Sequence, residues 1–175
     1  MNLRAQTGLN FRGINMASIT EKTIIHAPID QVFASWHDEY ADIYKFNPVI
    51  GKSFLLKETQ VNKGLGALRQ CNFVDGKNWI RERVSEFTEN KRIVVDIYEG
   101  TVPIKNGKAT ISFKDLGGGK TELTMTVSFE PKIPLIGALM VPVMKKQFGA
   151  NIRSLVAANA RYVERGEQVR PTLAA

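Results

Sequence analysis

The chain has 175 residues, of which 43% are hydrophobic and 23% charged, a composition typical of one globular domain and not of a disordered segment. Its formal net charge of +7 would suit an anionic partner. The basic residues are interspersed with acids and form no long run of like charge, so we expect no nucleic-acid partner.

Metal sites, disulfides and membrane spans are poorly supported by the sequence. The single cysteine, Cys71, excludes an internal disulfide, and with His26 and His37 it is too few for a four-ligand structural zinc site. We therefore expect no metal and no cofactor. The longest apolar run, Ile133–Met144, contains two prolines and is shorter than the roughly 18–20 residues of a membrane helix.

The N-terminal segment Met1–Asn15 lacks the apolar core of a secretory signal. We expect a flexible leader over residues 1–17, one domain over 18–166, a tail over 167–175, and a cytoplasmic protein.

The first structured part of the chain is predicted to be a strand followed by two short helices. Residues Ser18–His26 alternate and are rich in β-branched side chains, a pattern typical of a strand. Pro28 ends it, and a helix is expected from Ile29, with a second short helical piece at about 38–44.

Six further strands are predicted by regularly spaced turn signals. Asp75-Gly76 and Asn106-Gly107 are the clearest, because both positions of such pairs tolerate positive φ. The strands are expected at about 50–59, 66–74, 79–87, 92–99, 109–115 and 121–130. Short connections of this kind predict that neighbours in sequence pair antiparallel.

A long amphipathic helix is predicted over Ile133–Glu164. Its apolar residues recur at spacings of three and four and form one stripe, which consists of Val141, Met144, Phe148, Ile152, Leu155 and Tyr162. The last strand, 121–130, alternates between apolar and polar residues and offers an apolar face to that stripe. Asn159 lies on the stripe, so its amide needs a partner, for which we expect a backbone group rather than a ligand.

Three segments carry a resemblance to a known family. IHAPIDQVFASWHD (Ile25–Asp38), ERVSEF (Glu82–Phe87) and GGKTELTMTVSFEP (Gly118–Pro131), followed by the long helix, resemble the START-like or SRPBCC helix-grip superfamily, in particular its bacterial polyketide cyclase/dehydrase and lipid-transport branch. The resemblance implies an α+β fold in which a curved seven-stranded antiparallel sheet wraps around the C-terminal helix. It also implies a cavity between them that admits lipids, steroids or aromatic polyketides.

Strand three supplies the first candidate ligand-binding residues, Arg69, Cys71 and Phe73, which share one face. The resemblance implies that this face lines the cavity. A buried guanidinium needs a partner. Arg69 is therefore expected to meet either a carboxylate or phosphate of a ligand, or Glu82 or Glu99 of a neighbouring strand.

Strand four leaves two orientations open, because Trp79 and Glu82 lie on opposite faces and a bulge could turn either inward. Trp79 is taken as the better lining residue, with an outer or rim position as the alternative. Glu82 is interpreted as a general acid or base, or as a salt-bridge partner. The remaining predicted ligand-binding residues are Tyr44, Val95, Ile97, Met125, Met144 and Phe148.

The first functional hypothesis is transport or sensing of a hydrophobic small molecule. We expect neither a nucleic-acid partner nor an integral membrane segment, and the sequence leaves open whether the protein forms a homodimer. The alternative is a polyketide cyclase/dehydratase-type lyase or isomerase in which Glu82, Arg69 or His37 handles protons. A third hypothesis, a protein-interaction module, requires a broad apolar surface patch.

Overall fold

The structure, a computed structural model, describes residues 16–132 and 134–169, apart from the side chains of residues 134–139. Residues 1–15 of the predicted leader and the end of the predicted tail lie outside these residues. The elements in chain order are β1 (Ala17–Ile25), α1 (Ile29–His37), a 3-10 helix (Tyr40–Lys45), β2 (Ile50–Leu55), β3 (Leu68–Phe73), β4 (Trp79–Thr88), β5 (Arg92–Gly100), β6 (Ile104–Gly117), β7 (Lys120–Pro131) and α2 (Pro134–Arg165).

The strands form one seven-stranded antiparallel sheet in the order β1-β7-β6-β5-β4-β3-β2. Strands β2 to β7 follow one another as a meander, as their short connections predict, and β1 pairs with β7. The inward face of β7 is the predicted apolar one, in which Leu123, Met125 and Phe129 are buried. The α+β helix-grip fold is thereby confirmed.

The stripe of α2 packs onto this sheet. Ile152 and Leu155 are buried in the main core, and Tyr162 packs against it. Nearer the start of α2, Val141, Met144 and Phe148 pack against a smaller cluster made by Ala17, Ile104 and Phe129. Between Val141 and Tyr162 the helix therefore covers the sheet, and space remains between them only where the packing is incomplete.

Two predicted boundaries are wrong, for local backbone reasons. Strand β2 ends at Leu55 and not at Thr59. Strand β6 begins at Ile104, before the predicted start at Ala109, because Asn106-Gly107 forms a bulge within the strand and not the turn before it. Asn106 has the expected positive φ of 50°, and such a residue suits a bulge as well as a hairpin turn.

Candidate ligand-binding site

Two adjoining cavities lie between the sheet and α2. The outer cavity, of about 160 Å³, includes Phe73, Ile97, Val102, Ile104 and Phe148 in its wall. The inner cavity, of about 60 Å³, reaches Trp36, Ile43, Arg69, Cys71 and Ile111. Both are bounded by a shared set of residues, namely Asn47, Ile50, Ile80, Glu82, Ala109, Met125 and Leu155. The walls are mostly apolar, so the space suits an apolar molecule with few polar groups.

Most of the predicted ligand-binding residues lie on these walls. Phe73, Ile97 and Phe148 line the outer cavity, Arg69, Cys71 and Val95 line the inner one, and Glu82 and Met125 line both. The structure thus brings eight of the eleven together, because the strands that carry them are neighbours and α2 lies across them. Their role in binding a ligand stays a prediction.

Trp79 lies on the opposite face of β4, so its predicted inward orientation is wrong. Strand β3 fixes the orientation, since Ile80 pairs with Cys71 and Glu82 with Arg69. The Trp79 ring is half-buried on the outer face, where the Arg81 guanidinium carbon lies 5.3 Å from its centroid.

Met144 and Tyr44 are also absent from the walls of the two cavities. Met144 packs with Phe148 onto the small cluster around Phe129, at the beginning of α2. Tyr44, in the 3-10 helix, is half-buried against the main core. Both contribute to the apolar packing around the cavities, and neither faces the enclosed space.

The main polar feature of the walls is a buried ion pair. Nε of Arg69 donates to Oε2 of Glu82 at 2.6 Å, and the two side chains are only 6% and 8% exposed. A second guanidinium nitrogen donates to the backbone carbonyl of Tyr40 at 2.6 Å, and the guanidinium carbon lies 4.1 Å from the centroid of the Tyr40 ring. Of the two partners predicted for Arg69 within the protein, the structure shows Glu82.

The ion pair keeps both charges compensated. Burial by itself lowers the pKa of a guanidinium, but the Glu82 carboxylate outweighs burial and holds the pKa of Arg69 above its ordinary value. Burial raises the pKa of the Cys71 thiol, whose sulfur lies 3.5 Å from the same carboxylate oxygen. Burial likewise raises the pKa of Tyr40. Neither the thiol nor the phenol is therefore ionised near neutral pH.

His37, the third candidate proton carrier, lies away from the two cavities. Its Nδ1 is 2.8 Å from Oδ1 of Asp38, and its ring stacks on Phe33 and Phe87. Asp38 also accepts a hydrogen bond from Lys63, which is the main reason that the pKa of this carboxyl lies below its usual range. His37 thus joins Asp38 and Lys63 in a small polar cluster at the end of α1, with its ring packed against aromatic side chains.

Sequence reasoning missed several wall residues. Ala109 and Leu155 lay on predicted inward faces, and their small or apolar side chains gave no reason to single them out. Asn47, in the loop before β2, gave no signal because loops carry no periodicity.

The partner expected for Asn159 is wrong. Its Oδ1 accepts a hydrogen bond from Nε1 of Trp36 at 3.0 Å, and its Nδ2 donates to Oγ of Ser35 at 2.9 Å. Both partners are side chains of α1, so this amide joins α1 to α2.

Comparison with known proteins agrees with this architecture. Residues 16–164 match the family model described as polyketide cyclase/dehydrase and lipid transport. The chain belongs to this family. Its fold is that of a hydrophobic-ligand-binding family, and the resemblance drawn from the three sequence segments is confirmed.

Solved structures of low sequence identity share the polyketide cyclase/dehydrase and lipid-transport fold. A START superfamily protein from Mycobacterium smegmatis is 19% identical, with a TM-score of 0.68 over 86% of this chain and 99% of that one. An aromatase/cyclase from Streptomyces sp. R1128 is 17% identical, with a TM-score of 0.67 over 89% and 100%. A norcoclaurine synthase from Thalictrum flavum is 14% identical, with a TM-score of 0.66 over 86% and 95%.

These identities support the fold alone. No functionally curated protein matches the sequence significantly. Among the residues that the structure describes, no helix is both long enough and apolar enough to cross a membrane, and no group of three or more His, Cys, Asp or Glu side chains could hold a metal ion.

Proposed function

We propose that this protein binds a compact, uncharged apolar molecule between the sheet and α2 and acts as its carrier or sensor. The observation that carries the proposal is the pair of adjoining cavities with mostly apolar walls and a single, internally neutralised ion pair. The chain's membership of the family described as polyketide cyclase/dehydrase and lipid transport supports this proposal.

The size of the cavities limits the ligand. Drug-sized ligands occupy pockets of roughly 300–1,000 Å³, whereas the outer cavity has about 160 Å³ and the inner one about 60 Å³. A small aromatic or a short acyl chain fits that space as it stands. A steroid or a full-length lipid requires the first part of α2 to move away from Phe129 and Ile104, where it packs through Phe148.

The charge at the wall favours a neutral ligand with a hydrogen-bond donor. The guanidinium of Arg69 already faces Glu82, so a ligand carboxylate or phosphate would meet a compensated charge and would have to be desolvated. Both hydrogen bonds that Glu82 receives from described residues end on Oε2. Oε1 accepts no hydrogen bond from the described residues, so it is the carboxylate oxygen that we assign to a ligand hydroxyl.

The enzyme hypothesis has less support. It requires a titratable side chain that faces the cavity and has no protein partner. Arg69 and Glu82 are paired with each other, and His37 lies elsewhere beside Asp38. Within the described part of the chain, the three groups considered for proton transfer therefore fail this requirement, and binding is the function that the geometry favours.

Native mass spectrometry of the purified protein tests the proposal, with Ala109→Phe as the blocked variant. Ala109 is buried on the wall of both cavities, so a phenyl ring there fills the space. Thr110→Phe is the matched control, because Thr110 alternates with Ala109 on β6 and faces the other side of the sheet.

We expect a bound neutral small molecule, or uptake of an added one, in the wild type and in Thr110→Phe, and neither in Ala109→Phe. Equal binding by Ala109→Phe would contradict the proposed site. A wild type that takes up no member of a panel of small aromatics, sterols and acyl alcohols would contradict the proposed function.

A further inference from the structure

One end of the molecule combines exposed apolar side chains with unpaired positive charge. The start of β1, the turn between β5 and β6, and the first part of α2 meet there, because Ala17 pairs with Phe129, Ile104 pairs with Pro131, and the rings of Phe129 and Phe148 lie 5.1 Å apart. We call this end the basic pole, and it comprises Met16, residues 101–105, Lys132 and residues 140–148.

The apolar part of the basic pole lies on the outer side of α2. Val141, Met144 and Phe148 of this helix turn inward and pack onto the sheet. Met140 and Val143 lie on the outward side, where Val143 is 56% exposed, and Met16 is exposed nearby at the start of β1. These three side chains do not contribute to the core, and their exposure costs solubility unless another surface covers them.

The charge of the basic pole is positive. Sequence positions 131–163 contain no carboxylate at all. Lys145 and Lys146 are exposed and form no ion pair with the carboxylates of the described residues. The acids of β5 and β7 near this end are compensated, since Asp96 faces Arg83 and Lys108, Glu99 faces Arg81, and Glu130 faces Lys105.

We propose that the basic pole docks on the surface of an anionic lipid bilayer. A helix with exposed apolar side chains on one side and lysines beside them can lie on a bilayer. The apolar side chains then insert shallowly among the lipid headgroups, and the lysines interact with the anionic surface. A second copy of the chain is a poorer partner, because a symmetric contact would bring Lys145 and Lys146 of both copies together. Val102, Ile104 and Phe148 belong both to this pole and to the wall of the outer cavity, so docking places the cavity next to the bilayer.

Vesicle flotation with the purified full chain tests this proposal. The probes are vesicles of phosphatidylcholine alone and of phosphatidylcholine mixed with phosphatidylglycerol, at low and high salt. We expect binding only to the mixed vesicles, and we expect it to weaken with salt because surface charges are screened.

Charge-matched variants locate the docking surface. Lys145→Gln/Lys146→Gln should weaken vesicle partitioning by roughly 25-fold, since each lysine near an anionic surface contributes about fivefold. Lys114→Gln/Lys120→Gln removes the same amount of positive charge at the turn between β6 and β7, at the opposite end of β6, where both side chains are exposed. This control should keep vesicle partitioning within about twofold of the wild type.

An apolar pair of variants separates insertion from charge. Val143→Asp should abolish flotation, and Leu116→Asp, at a site 42% exposed near the opposite end, should preserve it. Circular dichroism confirms that each variant is folded.

The proposal is overturned by failure to float with the mixed vesicles or by equal losses for the two lysine pairs. It is also overturned if light scattering shows a dimer that Val143→Asp dissociates. Ala109→Phe should still float, which makes a failure of docking distinguishable from a failure of ligand binding.

Discussion

Removing one member of the Arg69–Glu82 pair should destabilise the protein far more than removing both. Glu82→Leu leaves the Arg69 guanidinium buried with no countercharge, and Arg69→Met leaves the carboxylate alone. Losing one partner of a buried pair costs about 3–5 kcal/mol, which is consistent with an attraction of about 4 kcal/mol between unit charges roughly 4 Å apart at an effective dielectric constant near 20. The double variant Arg69→Met/Glu82→Leu restores an uncharged wall and should cost less than either single variant.

The outer face of the same strand supplies the control. Arg81 and Glu99 form an ion pair at 2.8 Å with side chains 34% and 49% exposed. Exposed pairs contribute roughly 0.2–1 kcal/mol, so Arg81→Met and Glu99→Leu should each change the free energy of unfolding by about 1 kcal/mol at most.

Urea denaturation followed by tryptophan fluorescence measures both pairs and gives each double-mutant coupling energy. Single substitutions of Arg69 and Glu82 that cost no more than those of Arg81 and Glu99 would refute the reasoning, since the buried pair would then behave as a hydrated one. A double variant as unstable as the sum of its single variants would refute it as well.

Three further predictions concern packing and pH. Gly107→Ala should lower the free energy of unfolding by about 1–3 kcal/mol, because the new Cβ would lie 2.9 Å from Cβ of Ile97. Gly149 lies within α2 and its new Cβ would meet only the Cγ2 methyl of Ile19, at 3.7 Å, so Gly149→Ala should raise the free energy of unfolding by about 0.5–1 kcal/mol. Thermal unfolding compares the two variants. Asn159→Leu removes the acceptor of the buried Trp36 indole N–H and should cost about 2 kcal/mol in urea denaturation, whereas an unchanged midpoint would contradict the role of this amide. Burial and the hydrogen bond to Glu39 raise the pKa of Tyr162 from its ordinary 10.0 to about 12, so its contribution to stability is complete below pH 10.0 and is lost as the pH rises towards about 12. In Tyr162→Phe the free energy of unfolding should therefore fall less between these pH values than in the wild type. An equal fall in both proteins, measured by denaturation at several pH values, would contradict this role of Tyr162.

The sequence predicts the fold well where one periodicity dominates. Strand β7 alternates without interruption, and the stripe of α2 keeps its spacing from Val141 to Tyr162, so both inward faces follow from the pattern. Turn signals are less decisive. Asn90 and Asn106 both have positive φ, 53° and 50°, yet the first sits in a hairpin and the second in a bulge, and only pairing across the sheet distinguishes them.

The candidate site is predicted less completely, because it depends on register. On β3 simple alternation groups Arg69, Cys71 and Phe73 on one face, and the family resemblance implies that this face lines the cavity, where the structure places it. Pairing between β4 and β5 shifts between Arg81 and Glu82 and again between Val84 and Glu86, so alternation alone leaves Trp79 and Glu82 undecided. The partner of Arg69 is likewise a matter of register, since Glu82 lies directly opposite it on β3 and β4.

Methyl NMR of the methionines tests the central claim, ligand binding inside the cavities, most directly. Met125 lines both cavities, Met140 is exposed on α2, and Met144 packs outside the cavity walls. One spectrum therefore carries its own controls, with the Met125 signal assigned through Met125→Leu. When a neutral apolar ligand is titrated, we predict a saturable shift of the Met125 methyl that is absent in Ala109→Phe, while Met140 is unaffected. Shifts at Met140 with none at Met125 would contradict the account, because the ligand would then bind on the surface of α2.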